Sequence, residues 1–542
     1  MKIIAAIAAD FDRTVFDRPA RLNDELRGET VLRRTLRRLS ASERLSGVYL
    51  AVNHAQEHSA RAAAEGLNVQ VETHDGDRPP WHAYLAAARK WSLDGWRGGL
   101  CGANVYDEWF HPWIFEVLAR REQADAVMAI PAAAPLLDPG LLDEVIDHFS
   151  RYGGGVRMAL TQSSPGLSAA VYEISLLSEL SKIGHPPGRA MAYHPRDVRH
   201  DIANQTGFLN TDAIIMQGLG RCIVDTQTAA QRVSAILEDI PNPDALNVSR
   251  WLLEHRWQHF GVLPHEVEIE LTTADPLENS TLRPRGSAVG RRGPMDFALF
   301  ARLIEELAGR DDIRVVFGGF GDPLLHPEFT RCLECCHQAG LFGLAVRTPA
   351  VHLDKTSGDA LFACEIDVLN VLIDATTAST YRQIHAADHF DRVQSNIHGF
   401  LETQCNQQKP VPLTVCELLK TADNLDEMEE FYDYWTLKTG AAVLGGPSHY
   451  AGQWPNRAVM DMAPPARTPC TRLFNRLMVL ADGRVTACDQ DFQGRYTVGS
   501  LADQSLQAIW TGPPMTAIRQ GHLVGRFDAM PLCPACSEWH RP

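Results

Sequence analysis

The sequence predicts a multidomain α/β protein. Three observations carry that prediction: short apolar strand patterns alternate with amphipathic helices, Pro/Gly-rich joints interrupt the alternation, and a cysteine frame closes the chain. The run from Met1 to Ala9 is apolar, is followed by Asp10, Asp12 and Arg13, and is too short to span a bilayer. It reads as the first buried strand, and the acids after it do not suit a signal peptide. A helix follows over Glu29–Leu39, with Val31, Leu32, Leu36 and Leu39 at helical spacing. Further strands are expected at Val48–Val52, Val69–Val71 and Ala124–Ile130, with a helix over Gly140–Phe149, which together predict a doubly wound, mostly parallel sheet. A second set of strands, at Val267–Thr273, Ile313–Phe317, Leu344–Val346, Val368–Ile373 and Val411–Val415, alternates with helical runs such as Phe297–Leu307. The expected organisation is a first domain over 1–240, a linker over 241–264 around Ile240-Pro-Asn-Pro-Asp244, a second domain over 265–446, and a third over 447–542.

Net charge and cysteine usage bound the function class. At 542 residues the chain has room for two or three cored domains. A formal charge of −16 without a basic stretch excludes a nucleic-acid partner. With no targeting segment and no membrane-spanning run, the twelve cysteines are expected to be reduced thiols or metal ligands in the cytoplasm.

Four cysteines carry the chemistry: Cys470 and Cys488 flank a hairpin pattern, with Leu477 to Leu480, the turn Asp482-Gly483, and Val485. Cys533 and Cys536 form a Cys-x-x-Cys turn. Thiolates grouped in this way suit zinc or an iron–sulfur cluster; packing as small apolar groups or a redox pair are the alternatives. The surrounding words, including Val498-Gly-Ser-Leu501, Ile509-Trp510 and Arg519-x-x-His522, resemble the SPASM domain of radical SAM enzymes. That resemblance implies one auxiliary [4Fe–4S] cluster on Cys470, Cys488, Cys533 and Cys536, in the shorter, twitch-like form, with zinc as the alternative.

A partial (β/α) barrel of the radical SAM type is the expected upstream neighbour. The stretch Val315 to Phe329 resembles that family's Gly-Gly-Glu-Pro motif. Gly318, Gly319 and Gly321 would let a ligand approach the backbone, and Asp322 would hold the amino group of S-adenosylmethionine. Asp374 and Asn370 lie where the family places residues on the substrate or cofactor side. The family's Cys-x3-Cys-x2-Cys loop, however, aligns with Asp275, Asn279 and Leu282. No thiolate stands there, so radical S-adenosylmethionine chemistry is not expected, and substitution at Asp275 is expected to matter little. Cys332, Cys335 and Cys336 are expected on one helix face against the sheet.

The first domain resembles cytidylyltransferases and related GT-A-like nucleotidyltransferases, including those fused to radical SAM domains in polysaccharide-type pathways. The matches are Tyr106-Asp107-Glu108, Ala124-Asp-Ala-Val127 and Pro135-Leu-Leu-Asp-Pro139, and more weakly Arg199-His-Asp-Ile202 and Asp225-Thr226. The family's glycine-rich loop with its lysine is replaced by Asp10-Phe-Asp-Arg13, and its metal-binding Asp falls on Ala133. Arg13, Arg18 and Arg21 would contact an anion or sit in solvent; Asp107 and Glu108 would bind a metal or cap a helix start.

Three functions follow as expectations. One is a degenerate fusion protein that scaffolds, binds or regulates, with a protein partner or active paralogue. Another is an enzyme using the retained cluster or a reshaped S-adenosylmethionine-type pocket. The third is a nucleotidyl- or glycosyltransferase acting on a small-molecule or nucleotide ligand through the first domain.

Overall fold

The computed structural model describes residues 1–76, 78–197, 204–258 and 261–541, with backbone alone at 204 and 205. The chain divides into two units, Met1–Phe260 and Gly261–Pro542.

In the first unit, β1 (Ile3–Ala9), β4 (Val48–Asn53), β5 (Gln70–His74) and β6 (Ala126–Ala129) form a parallel set, with the small ribbon β2 (Glu25–Leu26) and β3 (Glu29–Thr30) set apart. The order β5-β4-β1-β6 continues through β8 (Ala170–Glu173), β7 (Met158–Thr161) and β9 (Phe208–Leu209), where β8 runs antiparallel to both neighbours. Strand β1 is buried nearly throughout, as a strand covered on both faces by helices must be. Its Ile3, Ala5 and Ile7 join Leu32, Leu36 and Leu39 of the helix Val31–Leu39, the largest apolar cluster described in this unit. That helix begins two residues later than its apolar spacing suggests, because Glu29 and Thr30 are drawn into the ribbon and Thr30 becomes its N-cap.

The expected linker over 241–264 contains a helix and also the boundary between the two units. Asp244 caps a helix, Ala245–Glu254, whose Val248, Trp251 and Leu252 pack with Val233, Ile236 and Leu237. Asp138 fastens this helix by accepting from the Ala245 N–H at 2.7 Å while its other oxygen caps Pro139–Arg151. The Pro-rich run starts a helix here instead of ending a domain.

The second unit has one nine-stranded sheet. Strands β10 (Glu266–Ile269), β11 (Arg314–Phe317), β12 (Gly343–Thr348), β13 (Val368–Leu372), β14 (Leu413–Leu419) and β15 (Ala442–Gly445) are successive parallel neighbours separated by helices, the arrangement of a partial (β/α) barrel. On the other side of β10 lies β16 (Arg476–Val479), parallel to it with Ile269 opposite Val479, followed by the antiparallel β17 (Arg484–Thr486) and β18 (Thr497–Ser500). The cysteine-bearing segment thus shares its sheet with the barrel. Leu477, Met478 and Val479 are at most 1% exposed, and Met478 packs with Val289, Phe320, Leu480 and Phe492. Among the described residues no helix is long and apolar enough to cross a membrane.

Candidate functional site

The four cysteines of the C-terminal frame line one cavity. Cys470 precedes the short helix Arg472–Asn475, Cys488 follows β17, and Cys533 and Cys536 sit on a 3-10 turn in which the Cys536 N–H donates to the Cys533 carbonyl at 3.1 Å. The turn Asp482-Gly483 reverses the hairpin with Gly483 at φ +83°, a conformation only glycine adopts without strain. Leu532 and Trp539 complete the wall. Burial pushes the thiols up, Cys533 to about 12, and further cysteines of the group add to the rise: Cys470 and Cys533 for Cys488, Cys470 and Cys536 for Cys533. Thiols that hinder each other's ionisation at this range are neighbours, and a cation between them is what would release their protons. Among the described residues no three His, Cys, Asp or Glu side chains converge tightly enough to hold a metal ion. Four cysteines on one cavity suit either zinc or an iron–sulfur cluster in ligand type. The residues fit an iron–sulfur cluster in ligand number, ligand type and enclosure.

The barrel mouth is built differently from its expectation. The loop after β10 puts Asp275 against Arg285 at 3.3 Å, leaves Asn279 exposed, and buries Leu282 with Ile384 and Leu419. None of these three positions carries a cysteine. Asp275 is itself 6% exposed and ion-paired, so the expectation that it matters little is corrected for stability: its carboxylate balances Arg285. The glycines also have another reason. A Cβ on Gly318 would lie 2.7 Å from Glu268 Oε1, one on Gly319 2.7 Å from Glu270 Cβ, and one on Gly321 2.2 Å from the Thr272 carbonyl oxygen. Each of these glycines makes room for β10 or for the chain that follows it. Asp322 caps the turn Pro323–Leu325 through one oxygen, which also accepts from the Thr348 hydroxyl at 2.8 Å. Its other oxygen has His352 Nδ1 3.9 Å away and no hydrogen bond. Asp374, in the left-handed region at φ 65°, accepts from Arg283 at 2.6 Å and from the Leu419 N–H at 2.8 Å; Asn370 sits nearby on β13, half-buried.

Sequence reading missed the arginines that fill this mouth. Arg283 reaches Asp374 and Glu417, and Arg292 grips Glu270 through two bonds of 2.7 Å. Arg347 donates to Glu268 at 3.2 Å. The available signal was Glu268 and Glu270 inside an otherwise apolar strand pattern, since buried carboxylates require partners. Above them Tyr450 and Trp454, from the segment after β15, pack with Phe320 and Phe492, and the Trp454 indole N–H donates to the Thr281 carbonyl at 3.0 Å. Of the helical cysteines, Cys332 and Cys336 are buried as expected, whereas Cys335 is only partly covered because it lies a quarter-turn off that face.

His385, 1% exposed, contacts Ser280, the Ile373 carbonyl and Asp374, and burial lowers its pKa to about 4. Its neutral form is favoured in the folded chain, so its contribution is fully present above the unfolded value near 6.5 and is lost as pH falls toward 4. Between pH 7 and pH 5 His385 alone is expected to remove about 2 kcal/mol from the second unit. Urea unfolding of the parent and His385→Gln at both pH values checks this, and an equal pH dependence in both would refute it.

In the first unit the parallel strands end at a cavity of about 410 Å³, lined by Ala9 of β1 and Asp10 just after it, from β4 by Asn53, and from the loop after β6 by Ala133. This is the crevice where open α/β sheets bind ligands. Asp10 is held by Gln56 and Arg78, and Arg13 sits at the rim, 66% exposed, 3.9 Å from Asp17. Asp107 is 1% exposed, and both its oxygens are used, by the Asn104 N–H at 2.9 Å and the Gly188 N–H at 2.8 Å, while burial raises its pKa to about 7. Glu108 is clamped between Arg89 at 2.8 Å and Arg221 at 2.6 Å. Of the two expectations for this pair, the structure gives Asp107 the helix-start cap and engages Glu108 in ion pairs. Arg199-His200-Asp201-Ile202 lies outside the described residues.

Comparison with known proteins adds to this geometry. Residues 470–537 match the family model of SPASM, an iron–sulfur cluster-binding domain. An uncharacterized protein of Treponema pallidum (strain Nichols) is 24% identical over 317 residues, 53% of this chain and 82% of that protein. Solved structures similar to parts of the chain include BtrN in complex with AdoMet and 2-DOIA, at 20% identity over 51% of this chain and 93% of BtrN, TM-score 0.36. A cytidylyltransferase from Leptospira borgpetersenii serovar Hardjo-bovis (strain JB197) is 15% identical over 47% of this chain and 95% of its own, TM-score 0.34. SuiB of Streptococcus suis, bound to precursor peptide SuiA, is 11% identical over 56% and 82%, TM-score 0.39. The segment 470–537, with its four cysteines gathered on one cavity, is therefore similar to the SPASM family, described as an iron–sulfur cluster-binding domain.

Proposed function

We propose that this chain is a catalytically degenerate fusion protein. In this reading its SPASM domain holds one [4Fe–4S] cluster on Cys470, Cys488, Cys533 and Cys536, and its barrel performs no radical S-adenosylmethionine chemistry. Its role is then binding, scaffolding or regulation in a sugar, polysaccharide or small-molecule pathway, with a protein partner or active paralogue. One observation carries the reading: the loop after β10 offers no thiolate, and Leu282 at the third expected ligand position is packed into an apolar cluster. The cluster would supply folding free energy to the C-terminal segment, since a preformed thiolate set binds its metal with energy the unfolded chain cannot gain. This chain's residues do the rest: the hairpin and the Cys533 turn present the thiols, and Leu532 and Trp539 exclude water.

The test is the iron and sulfide content of anaerobically purified protein, followed by incubation with dithionite and S-adenosylmethionine. The expected result is about four irons and four sulfides per chain and no reductive cleavage. About eight of each, or cleavage, would overturn the reading.

Two observations favour alternatives. The second Asp322 oxygen, without a hydrogen bond, supports a residual S-adenosylmethionine-type pocket using non-radical chemistry. The crevice in the first unit supports a nucleotide or other small ligand there, and with it a transferase reading. Equilibrium binding of S-adenosylmethionine or of a nucleotide with magnesium separates them.

A further inference from the structure

Besides the four cysteines, the cluster cavity is lined by three nitrogen-bearing side chains whose hydrogen bonding is incomplete. Arg467 Nε, Arg472 Nε and His522 Nε2 are buried, and none has a hydrogen-bond partner among the described residues. Buried polar groups are nearly always paired, so three orphans on a single cavity point at one missing acceptor. Each side chain is held by its other atoms. The Arg467 terminal nitrogen donates to the Cys533 carbonyl at 2.6 Å, and its guanidinium lies 4.4 Å from the Phe527 ring centre. Arg472 is paired with Asp489. His522 is 1% exposed, stands edge-on to Phe527, and accepts the Cys470 N–H at Nδ1, 3.3 Å away. Because Nδ1 accepts, the neutral ring carries its proton on Nε2, leaving an unpaired donor on a side chain that lines the cavity. The backbone already shows the matching contact: the Glu538 N–H donates to Cys536 Sγ at 3.3 Å.

We infer that His522, Arg467 and Arg472 donate N–H hydrogen bonds to sulfur atoms of the cluster and raise its reduction potential. The inference rests on the cluster reading above. A cluster held by four thiolates is anionic, and reduction adds one electron to its irons without moving a proton; donors aimed at its sulfurs therefore favour the reduced form. Four cysteines leave no iron open to a substrate, so a raised potential suits a cluster that accepts an electron from a partner or reports its redox poise.

The experiment is a redox titration, followed by EPR, of the full-length holoprotein, its His522→Phe and His522→Gln variants, and Arg467→Lys, which keeps the charge but loses Nε–H. His522→Phe is expected to keep the parent's iron and sulfide and to shift the oxidised-to-reduced ratio at a fixed poise about tenfold toward oxidised, 59 mV for one electron. His522→Gln, which restores an N–H at the Nε2 position, should recover most of that shift, and Arg467→Lys should move the potential in the same direction as the Phe variant. Pulsed EPR of the reduced parent labelled with ¹⁵N-histidine should show a nitrogen coupling and an exchangeable proton. An unchanged potential in an iron-replete His522→Phe variant would overturn the inference. Should that variant lose its cluster, absence of the histidine coupling in the labelled parent would overturn it equally. A parent without iron would instead remove the cluster reading itself.

Discussion

Replacing Cys533 and Cys536 together with serine is expected to take the chain from about four irons to fewer than one and to melt its C-terminal segment. The two residues are half of the thiolate set and sit on one turn, so the double change removes the lid of the cavity while leaving the hairpin sequence intact. Structural metal sites contribute on the order of 10 kcal/mol to folding, against a typical domain stability of about 5–15 kcal/mol. The loss should not stay local, because β16 is hydrogen-bonded to β10 in the barrel sheet. The measurement is iron and sulfide content with thermal unfolding of the second unit, and Cys332→Ser with Cys336→Ser is the control, being buried in a helix away from the frame. A double variant as stable and as iron-rich as the parent would show that the ligands have been assigned wrongly.

Glu108→Ala should be the most damaging single change in the first unit, at about 3–5 kcal/mol. The carboxylate, 2% exposed, lies between Arg89 at 0% and Arg221 at 2%, and Asp225 is the further acid on Arg221. Without Glu108 two guanidiniums share one buried counter-charge, and Arg89 loses the carboxylate that faces it. Removing one partner of a buried ionic set costs far more than the set contributes in net stability, since desolvation of the survivor is no longer offset. Denaturant unfolding of the parent and variant reads the effect directly. A double-mutant cycle with Arg89→Ala should return a coupling above 1 kcal/mol, in line with contacts inside one buried network. A stability unchanged within 0.5 kcal/mol would mean that Glu108 is free for a ligand after all.

These two sites differ in how far the sequence disclosed them. The cysteine frame was legible because its parts are local: a hairpin has a turn pair and a two-residue alternation, and a Cys-x-x-Cys turn has a fixed reach. For the same reason the parallel strands and their helices were legible from period and burial pattern, and the loss of thiolates after β10 from three positions. Glu108 carried no such mark. Its partners lie 19 and 113 residues away, a separation over which no spacing rule operates.

By itself, then, the sequence determined the alternation of strands and helices in both units, the four-cysteine frame and the residues Asp275, Asn279 and Leu282 in the loop after β10, since these follow from residue identity and short-range geometry. Only the tertiary structure decided that Gly318, Gly319 and Gly321 make room for β10 and the chain that follows it, that arginines balance Glu268, Glu270 and Asp374 in the mouth, and that the cysteine segment completes the barrel's own sheet. It also left three N–H groups, on side chains that line the cysteine cavity, without an acceptor among the described residues. Close approach, ion pairing and burial depend on which distant segments meet, and the free energy of each is set by the dielectric and the packing found there.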